Sequence, residues 1–311
     1  MSKFLLFVSL IASNAFVHAS EMTAQQWLEK MSQTMKVMEY QGTIAFFKNG
    51  RLDTMKYFHA IENGKAQERL LSLNSPMREV IREAGKVRCV FKDSKRSVVN
   101  HHPVSESFIV NLPRDFSNLN TIYRFYELGD ESVALRMARV ISIEAEDAYR
   151  YARNIWIDKT HFLPLKVEVY DLTGATLEQV VFTELSVGSD VDFITTDSLI
   201  DKNKVKNDFL AANDASFITN NVPQGFEMAF FTRMDEKGSA KRVEHLLLTD
   251  GFSSISIYLE AKDIDVQEGL QTLGSVNSYT HIIDDFQVTA MGEVPAVAVQ
   301  FVAQGVELLK H

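Results

Sequence analysis

The feature that most constrains this chain is a series of strand-like runs separated by two-residue turn signals. Within residues 41–74, apolar runs break at Asn49-Gly50 and again at Asn63-Gly64. Asn-Gly pairs readily adopt the positive φ angles that tight hairpin turns require. The pattern predicts consecutive antiparallel hairpins, and it continues over residues 78–101 and 133–187.

Two segments interrupt this pattern with helical spacing. The first, "TAQQWLEKMSQTMKVMEY", opens with Thr23 and Gln26 as a capping-box pair. Its apolar residues recur at helical intervals: Trp27, Met31, Met35 and Met38. The second, "DFSNLNTIYRFYELG", stops at Gly129 and carries an apolar stripe: Phe116, Leu119, Tyr123 and Tyr126. We therefore expect a helix in each segment.

Residues 188–212 separate two differently organised parts of the chain. This stretch is rich in Asp, Asn, Lys and Ser and has no sustained periodicity, as is typical of an interdomain connection. Beyond it, strand-like runs turn at Asp250-Gly251 and around Asp284-Asp285, and Pro295 opens an apolar helix in its first turn. This order predicts a small antiparallel sheet covered by one terminal helix.

The first 19 residues have the layout of a secretory signal peptide. Lys3 supplies a basic start, an apolar run follows, and Val17 and Ala19 occupy the −3 and −1 positions of a cleavage site before Ser20. An uncleaved anchor is less favoured, because the apolar run is shorter than the roughly 20 residues of a membrane span. We expect an exported chain with four parts: a signal peptide (1–19), a larger β domain (20–190), a linker (191–212) and a small α+β domain (213–311).

The single cysteine and the charge distribution narrow the possible chemistry. Cys89 has no partner for an intramolecular disulfide, so the fold must rest on its core, and the alternation in "VRCVF" predicts a small buried side chain. Residues 213–311 contain six Lys/Arg and fourteen Asp/Glu, a net charge of −8. This excess argues against nucleic acid as a partner and would suit a basic segment, although a solvated surface is the commoner reason for such charge.

The stretch "DAYRYARNIWIDKTHFLPLKVEVYDLTG" gathers acids, bases and a histidine as an active site would. Its two-residue period predicts a hairpin instead, with Asp158, His161 and Asp171 at strand ends where polar groups meet water. The chain contains no phosphate loop, dinucleotide glycine pattern, nucleophile elbow or metal-binding histidine spacing. We expect no catalytic residue, no metal and no cofactor, and therefore not an enzyme.

Several strands of the larger domain carry apolar residues on both faces, as Trp156 does between its two isoleucine neighbours. One face could pack on helices while the other lines a cavity, but a sheet covered on both sides explains the pattern equally well. The candidates for the lipid-facing or core side are Phe46, Trp156, Val167, Val169 and Phe182. Alternation alone does not say which face is concave.

Five blocks of the chain resemble the periplasmic sigma-E factor regulatory proteins of the RseB/MucB family of Gram-negative bacteria. They are "ERLLSLNSPMREVIREAGKVRCVF", the stretch from "DAYRYARN" to "TELSVG", "VPQGFE", "RVEHLLLTDGFSSISIYLE" and "VTAMGEVPAVAVQFVAQGVE". The likeness runs in order from about Tyr40 to Val306. It weakens in "ALRMARVISIEAE", where Met137-Ala138-Arg139 stands in place of an expected glycine-containing run, and in the connection after Gly188.

The resemblance implies an α+β fold with two domains. The larger one would be an unclosed antiparallel β-barrel with helices, similar to outer-membrane lipoprotein carriers and with an apolar concave side. The smaller one would be α+β. Members of the family act in the periplasm, where they bind the periplasmic segment of a membrane-spanning anti-sigma factor and protect it from the first regulated protease cut. They release it when lipopolysaccharide or mislocalised lipid signals envelope stress.

Three function classes follow from these observations. The leading hypothesis is a negative regulator of the envelope-stress response, whose partners would be the anti-sigma segment and lipid or lipopolysaccharide acyl chains, with a homodimer possible. The runner-up is a periplasmic lipid or lipoprotein carrier, which would not need the acidic domain of residues 213–311. A hydrolase of envelope polymers is the remotest alternative. We expect residues 213–311 to supply most of the partner contact.

Overall fold

The computed structural model describes residues 22–62, 64–74, 78–83, 86–91, 96–101, 107–188, 209–210, 214–235 and 242–309. Within them the chain forms two large antiparallel sheets, one two-stranded sheet and two α-helices. The predicted signal peptide, most of the predicted linker and the side chain of Cys89 lie outside the described part.

The N-terminal sheet contains eleven strands: β1 (Tyr40–Lys48), β2 (Arg51–Glu62), β3 (Lys65–Ser72), β4 (Arg78–Glu83), β5 (Lys86–Phe91), β6 (Arg96–His101), β7 (Tyr123–Val133), β8 (Arg136–Ala145), β9 (Ala152–Asp158), β10 (Pro164–Tyr170) and β11 (Thr176–Val187). Their order is β6-β5-β4-β3-β2-β1-β11-β10-β9-β8-β7. The sheet begins at β6 and ends at β7, so it is unclosed over the described strands. The turn between β1 and β2 has positive φ at Asn49 (55°) and Gly50 (72°), as the sequence predicts.

Helix α1 (Ala24–Met35) packs on this sheet and begins where the capping box predicts. The backbone N–H of Gln26 donates to Thr23 Oγ1 over 3.3 Å, and the backbone N–H of Thr23 donates to Gln26 Oε1 over 2.8 Å. These two bonds satisfy N–H groups that the helix itself cannot pair. The apolar stripe, with Leu28 and Met31 fully buried, joins the core of the sheet.

The prediction of a second helix, in the segment from Asp115 to Gly129, is wrong. Only the three residues Leu119–Thr121 are helical, as a single 3₁₀ turn, and Tyr123 already begins strand β7. In that strand Tyr123 and Phe125 lie two residues apart on the same face of the sheet. The apolar residues of this segment are spaced as in a helix, but they belong to a turn followed by a strand. Tertiary contacts, and not the local pattern, set the structure here.

The C-terminal sheet has seven strands: β12 (Phe209–Leu210), β14 (Glu227–Asp235), β15 (Arg242–Thr249), β16 (Ser254–Ala261), β17 (Gly269–Leu273), β18 (Val276–Ile283) and β19 (Phe286–Gly292). Their order is β12-β14-β15-β16-β19-β18-β17. Helix α2 (Ala296–Gln304) follows Pro295, which caps it from just outside, and buries Val299 and Val302 against this sheet. Strands β13 (Phe217–Thr219) and β20 (Val306–Leu308) pair separately.

The predicted fold class is confirmed: an unclosed antiparallel sheet with one α-helix, followed by a smaller, separate α+β unit. Strand β12 lies inside the range predicted as linker, yet it pairs with β14, so the described chain joins the C-terminal sheet at Phe209. The two units are called the N-terminal and C-terminal units below.

Candidate functional site

A row of apolar side chains crosses one face of the N-terminal sheet. Phe46 of β1 lies opposite Val180 of β11. Val180 is in turn opposite Val167 of β10, which is opposite Ile155 of β9. Directly paired residues of antiparallel strands project to the same face. The Arg139 guanidinium lies 5.8 Å from the Trp27 ring of α1, and Arg139 is opposite Ile157, which shares a face with Ile155. This face, called the inner face, is therefore the one that α1 covers.

Four of the five predicted lipid-cavity or core residues lie on the inner face. Val167 and Phe182 are buried, at 6 % and 1 % exposure, and Phe182 packs edge-on against Tyr57 with ring centroids 5.7 Å apart. Phe46 and Val169 are only partly buried. The inner face is therefore core around β10 and β11 and becomes accessible toward one end.

Trp156 lies on the opposite face, because it alternates with Ile155 along β9. Its Nε1 donates a 2.7 Å hydrogen bond to Glu131 Oε2, and the ammonium of Lys166 lies 4.1 Å from its ring centroid. The side chain is only 4 % exposed. Tryptophan is thus held by polar neighbours on the outer face, away from the other four candidates.

The accessible end of the inner face meets the C-terminal unit along a polar row. Lys48, Glu178, Val169 and Arg153 lie side by side across β1, β11, β10 and β9. Lys48 Nζ lies 2.6 Å from Glu178 Oε1 and 2.5 Å from Glu293 Oε1 of the C-terminal unit. Ser275 of the C-terminal unit donates to the same Glu178 carboxylate. This row forms one half of a seam between the two units.

The turn between β15 and β16 forms the centre of this seam. Its Asp250 carboxylate accepts a 2.5 Å hydrogen bond from Arg150 Nε and a 2.8 Å bond from the Tyr123 hydroxyl, both from the N-terminal unit. The other carboxylate oxygen accepts from the backbone N–H groups of Phe252 and Ser253, at 2.9 and 2.7 Å. The side chains of Arg150 and Asp250 are both fully buried, so this ion pair is shielded from solvent.

Phe252 of the same turn packs inside the core of the N-terminal unit. It is 2 % exposed, and its ring centroid lies 5.1 Å from that of Tyr123, 6.3 Å from Phe116 and 6.5 Å from Phe125. The Arg153 guanidinium lies 5.3 Å from the Phe252 ring and donates to its carbonyl oxygen over 2.9 Å. One side chain of the C-terminal unit therefore completes the core of the other unit.

Arg150 connects three segments around this turn. Its guanidinium also donates to the Asp147 carboxylate and to the carbonyl of Gln224, and it lies 4.5 Å from the Phe226 ring centroid. Burial alone would lower the pKa of Arg150, but the neighbouring Asp250 and further anionic groups raise it above its ordinary value. The charge is thus held inside the protein by its partners.

A cleft of about 380 Å³ opens at the seam beside Phe252. Its walls come from both units and include Arg153 and Val169 on one side and Leu247, Tyr258 and Met291 on the other. Arg153 is 7 % exposed, and its Nε has no hydrogen-bond partner among the described residues. Of the five predicted residues, only Val169 lines this cleft, and residues of both units form the rest of the lining.

Of the three residues expected to meet water at strand ends, Asp158, His161 and Asp171, the expectation is wrong for Asp158. Asp158 is 1 % exposed, accepts a 3.0 Å hydrogen bond from Arg136 and contacts His161 Nδ1 at 3.0 Å. Arg150 and Arg153 are buried at the seam. The hairpin itself, β9 and β10, forms as predicted.

Sequence reasoning missed Arg150 and Arg153 because their partners lie 100 residues away. The hydrogen bonds to Asp250 and Ser253 each span 100 positions, and no local pattern marks such a pairing. Two signals are available in the sequence: the two arginines three residues apart at the start of β9, and the Asp-Gly turn. Each of them also fits an exposed surface.

The described chain shows neither a group of metal-binding side chains nor a membrane-spanning helix. No three His, Cys, Asp or Glu residues converge in the described ranges, and none of the described helices is long and apolar enough to cross a bilayer. Chemically, the seam can bind charged and apolar groups at the same place.

An unclosed antiparallel sheet and a smaller α+β unit, joined along a seam at one end of the inner face, define a two-unit protein. The chain belongs to the MucB/RseB family: the model of the MucB/RseB N-terminal domain matches residues 23–206, and that of the C-terminal domain matches residues 211–307. Its relatives by sequence are regulatory proteins rather than enzymes.

The named relatives cover between 60 % and 96 % of this chain. The sigma-E factor regulatory protein RseB of Salmonella typhimurium is 24 % identical over 308 residues, covering 96 % of each chain. The sigma factor AlgU regulatory protein MucB of Pseudomonas aeruginosa is 30 % identical over 191 residues, 60 % of this chain and 57 % of that protein. The structure of the Pseudomonas aeruginosa MucA/MucB complex matches with a TM-score of 0.73 at 24 % identity, covering 93 % of this chain and 99 % of the other.

Proposed function

We propose that this protein is a negative regulator of the sigma-E type envelope-stress response. It binds the periplasmic segment of a membrane anti-sigma factor, protects that segment from the first regulated protease cut, and releases it on sensing lipopolysaccharide or mislocalised lipid. The observation that carries the proposal is the match of both family domains, in order and on one chain, over residues 23–206 and 211–307.

The similarity to a protein crystallised with its partner supports binding as the mode of action. MucB has been crystallised in complex with MucA(peri), and that structure has a TM-score of 0.71 with this chain. A regulator of this kind acts by occupancy, so it needs a partner surface rather than catalytic groups. In keeping with this, the described polar residues at the seam pair with one another and hold the two units together.

The C-terminal unit supplies most of the partner contact in this proposal. Residues 213–311 carry a net charge of −8, which favours a basic segment as the partner. Three exposed acids lie close in sequence between β16 and β17: Asp263, Asp265 and Glu268. Neutralising all three in the full chain should weaken binding of the anti-sigma segment and reduce its dependence on salt.

The matched control neutralises three exposed acids of the N-terminal unit: Glu144, Glu146 and Glu184. Binding of the segment is measured by isothermal titration calorimetry at two salt concentrations. Equal losses for the two triple variants would count against a dominant role of the C-terminal unit.

The regulatory function itself is tested by protease protection. The anti-sigma segment is incubated with its first-cut protease, with and without the full-length protein, and lipopolysaccharide is then added. We expect the protein to slow the cut and lipopolysaccharide to restore it. Absence of protection at saturating protein concentration would contradict the proposal and, together with lipid binding, would favour the lipid-carrier alternative.

A further inference from the structure

The turn from Asp250 to Phe252 presents an unusual combination of groups to the N-terminal unit. It offers a carboxylate to a buried arginine and, two residues later, an aromatic ring to a cluster of rings. Gly251 approaches so closely that a Cβ atom there would lie 2.3 Å from Pro113 Cα, and its φ is +93°. The turn is therefore seated as closely as a bound ligand would be.

We propose that the Asp250-Gly251-Phe252 turn occupies a binding site for an anionic amphiphile, an acyl chain with a carboxylate or phosphate head, and that such a ligand binds by displacing the turn. The ligand's head takes the place of the Asp250 carboxylate and its chain takes the place of the Phe252 ring. This inference rests on the proposed function, because it assigns lipid sensing to a particular site.

Arg150 and Arg153 require the head group of the ligand to be negatively charged. When the turn leaves, Arg150 loses its bond to Asp250, and Arg153 loses its bonds to the Phe252 carbonyl and to Ser253 Oγ, which lies 3.2 Å away. A buried cation without a partner is strongly unfavourable. An uncharged chain would leave Arg153 without these two acceptors and Arg150 with only the Asp147 carboxylate and the Gln224 carbonyl, whereas an anionic head replaces the bonds that are lost.

The amphiphile enters through the cleft beside Phe252. Its volume of about 380 Å³ lies within the roughly 300–1,000 Å³ of small-molecule sites. Val169, Leu247 and Met291 give it apolar walls, and the partnerless Nε belongs to Arg153 in the same wall. Phe252 is itself one of the residues that line the cleft, so a chain that inserts past it and the seating of the turn exclude each other.

This competition links lipid binding to the relation between the two units. A ligand that binds only when the turn is displaced makes the contact between the units less favourable. The intact contact lowers the affinity for the ligand by the same factor. Couplings of this kind change affinity roughly 5- to 150-fold. A partner that binds the joined units would lose affinity by the same coupling when the amphiphile enters.

The first test compares two Asp-x-Phe turns of the same unit. Phe252→Ala removes the seated ring, and Phe286→Ala removes the ring that follows Asp284 in an exposed turn, where Phe286 is 39 % exposed. Binding of laurate, dodecyl phosphate and uncharged dodecyl maltoside, all below their micelle concentrations, is measured by calorimetry on the full chain. Inorganic phosphate without a chain serves as the head-group control.

We expect laurate and dodecyl phosphate to bind Phe252→Ala roughly 5- to 150-fold more tightly than the wild type. Phe286→Ala should match the wild type, and dodecyl maltoside and inorganic phosphate should bind neither variant measurably. A preference between the two anionic heads would separate a free fatty acid from a phosphorylated lipid as the source. Equal affinity of the maltoside would overturn the role of the arginines.

The second test makes a smaller change at the seam, a single oxygen replaced by sulfur. Ser253 is 4 % exposed, so in a Cys89→Ser background the thiol of Ser253→Cys should react slowly with a thiol reagent. Adding laurate or dodecyl phosphate should speed its labelling, while the exposed control Ser132→Cys should be unaffected. Amphiphile binding without faster labelling would overturn this inference and leave the proposed regulation standing. Loss of protease protection of the anti-sigma segment in the untreated wild type would instead contradict the proposed function alone.

Discussion

At the scale of single residues, the buried pair of Arg150 and Asp250 has the largest expected effect on stability. Both side chains are fully buried, and removing one partner leaves an unpaired charge in a medium that solvates it poorly. The pair need not stabilise the fold relative to two apolar residues, but breaking it is unfavourable.

We predict that Arg150→Met lowers the free energy of unfolding by about 3 kcal/mol or more. The control is Arg124→Met, which removes the exposed ion pair with Glu146 and should change stability little. Urea denaturation followed by circular dichroism measures both variants. Similar stability of the two would contradict the importance of burial at the seam.

A second residue-scale prediction concerns Glu68 on β3. Its carboxylate is 2 % exposed and accepts hydrogen bonds from the Tyr57 hydroxyl (2.6 Å), the Ser107 hydroxyl (2.8 Å) and the Phe108 backbone N–H (2.9 Å). Burial raises the pKa of Glu68 above its ordinary value, although Arg82 and these donors act in the opposite direction.

Because the folded-state pKa is raised, the contribution of Glu68 to stability is fully present below its unfolded pKa of about 4.3 and is lost as pH rises through the folded value. We predict that Glu68→Gln removes this decline. Unfolding free energies measured in urea at intervals from pH 4 to pH 8 should fall less steeply for the variant than for the wild type. Parallel curves would show that the carboxylate does not titrate in this range.

At the scale of elements, strand β10 contains two neighbouring positions of the same face with different surroundings. Val167 is 6 % exposed in the core, whereas Val169 lines the cleft at the seam. The two valines therefore form a matched pair for testing where the inner face stops being core.

We predict that Val167→Asp destabilises the fold by more than about 3 kcal/mol, because it buries a charge without a partner. Val169→Asp should be tolerated better, since its carboxylate can reach water through the cleft and the attraction of Arg153 on one side offsets the repulsion of Glu178 on the other. Thermal denaturation compares the two variants. A greater loss for Val169→Asp would mean that the cleft is closed in solution.

The elements also show what local sequence can predict. The Asn49-Gly50 turn, the capping box at Thr23 and the β9–β10 hairpin follow from residues within a few positions of each other. The segment around Leu119 was predicted as a helix, but its apolar residues pack around Phe252, which is far away in sequence. Local periodicity carries no information about a partner that is so distant in sequence.

At the scale of the whole molecule, the seam should make the two units unfold together. Phe252 belongs to the core of the N-terminal unit, and Asn277 Nδ2 donates a 2.9 Å hydrogen bond to the Tyr151 hydroxyl at a second point of the seam. Separating the units would expose both contacts and remove Asp250 from Arg150.

The two tryptophans, Trp27 and Trp156, both lie in the N-terminal unit, so their fluorescence reports on that unit alone. Far-ultraviolet circular dichroism reports on both units. We predict coincident urea transitions by the two probes in the wild type and separated transitions in Phe252→Ala, which loses the ring that the C-terminal unit places in the other core. Separated transitions already in the wild type would show that the seam does not couple them.

The sequence by itself determined the strand-rich architecture, the division into two units and the family, because alternation, turn residues and long similar blocks are properties of neighbouring residues. Only the tertiary structure decided that Arg150 and Arg153 are buried and that Trp156 faces away from the other candidates. It also decided that Phe252, a residue of the C-terminal unit, packs in the core of the N-terminal unit. The hydrogen bonds that hold the two arginines join residues 100 positions apart, and the side of Trp156 relative to the other candidates depends on how β9 pairs with β10. Burial and charge pairing of this kind are set by how strands and units pack against each other, which neighbouring residues do not specify.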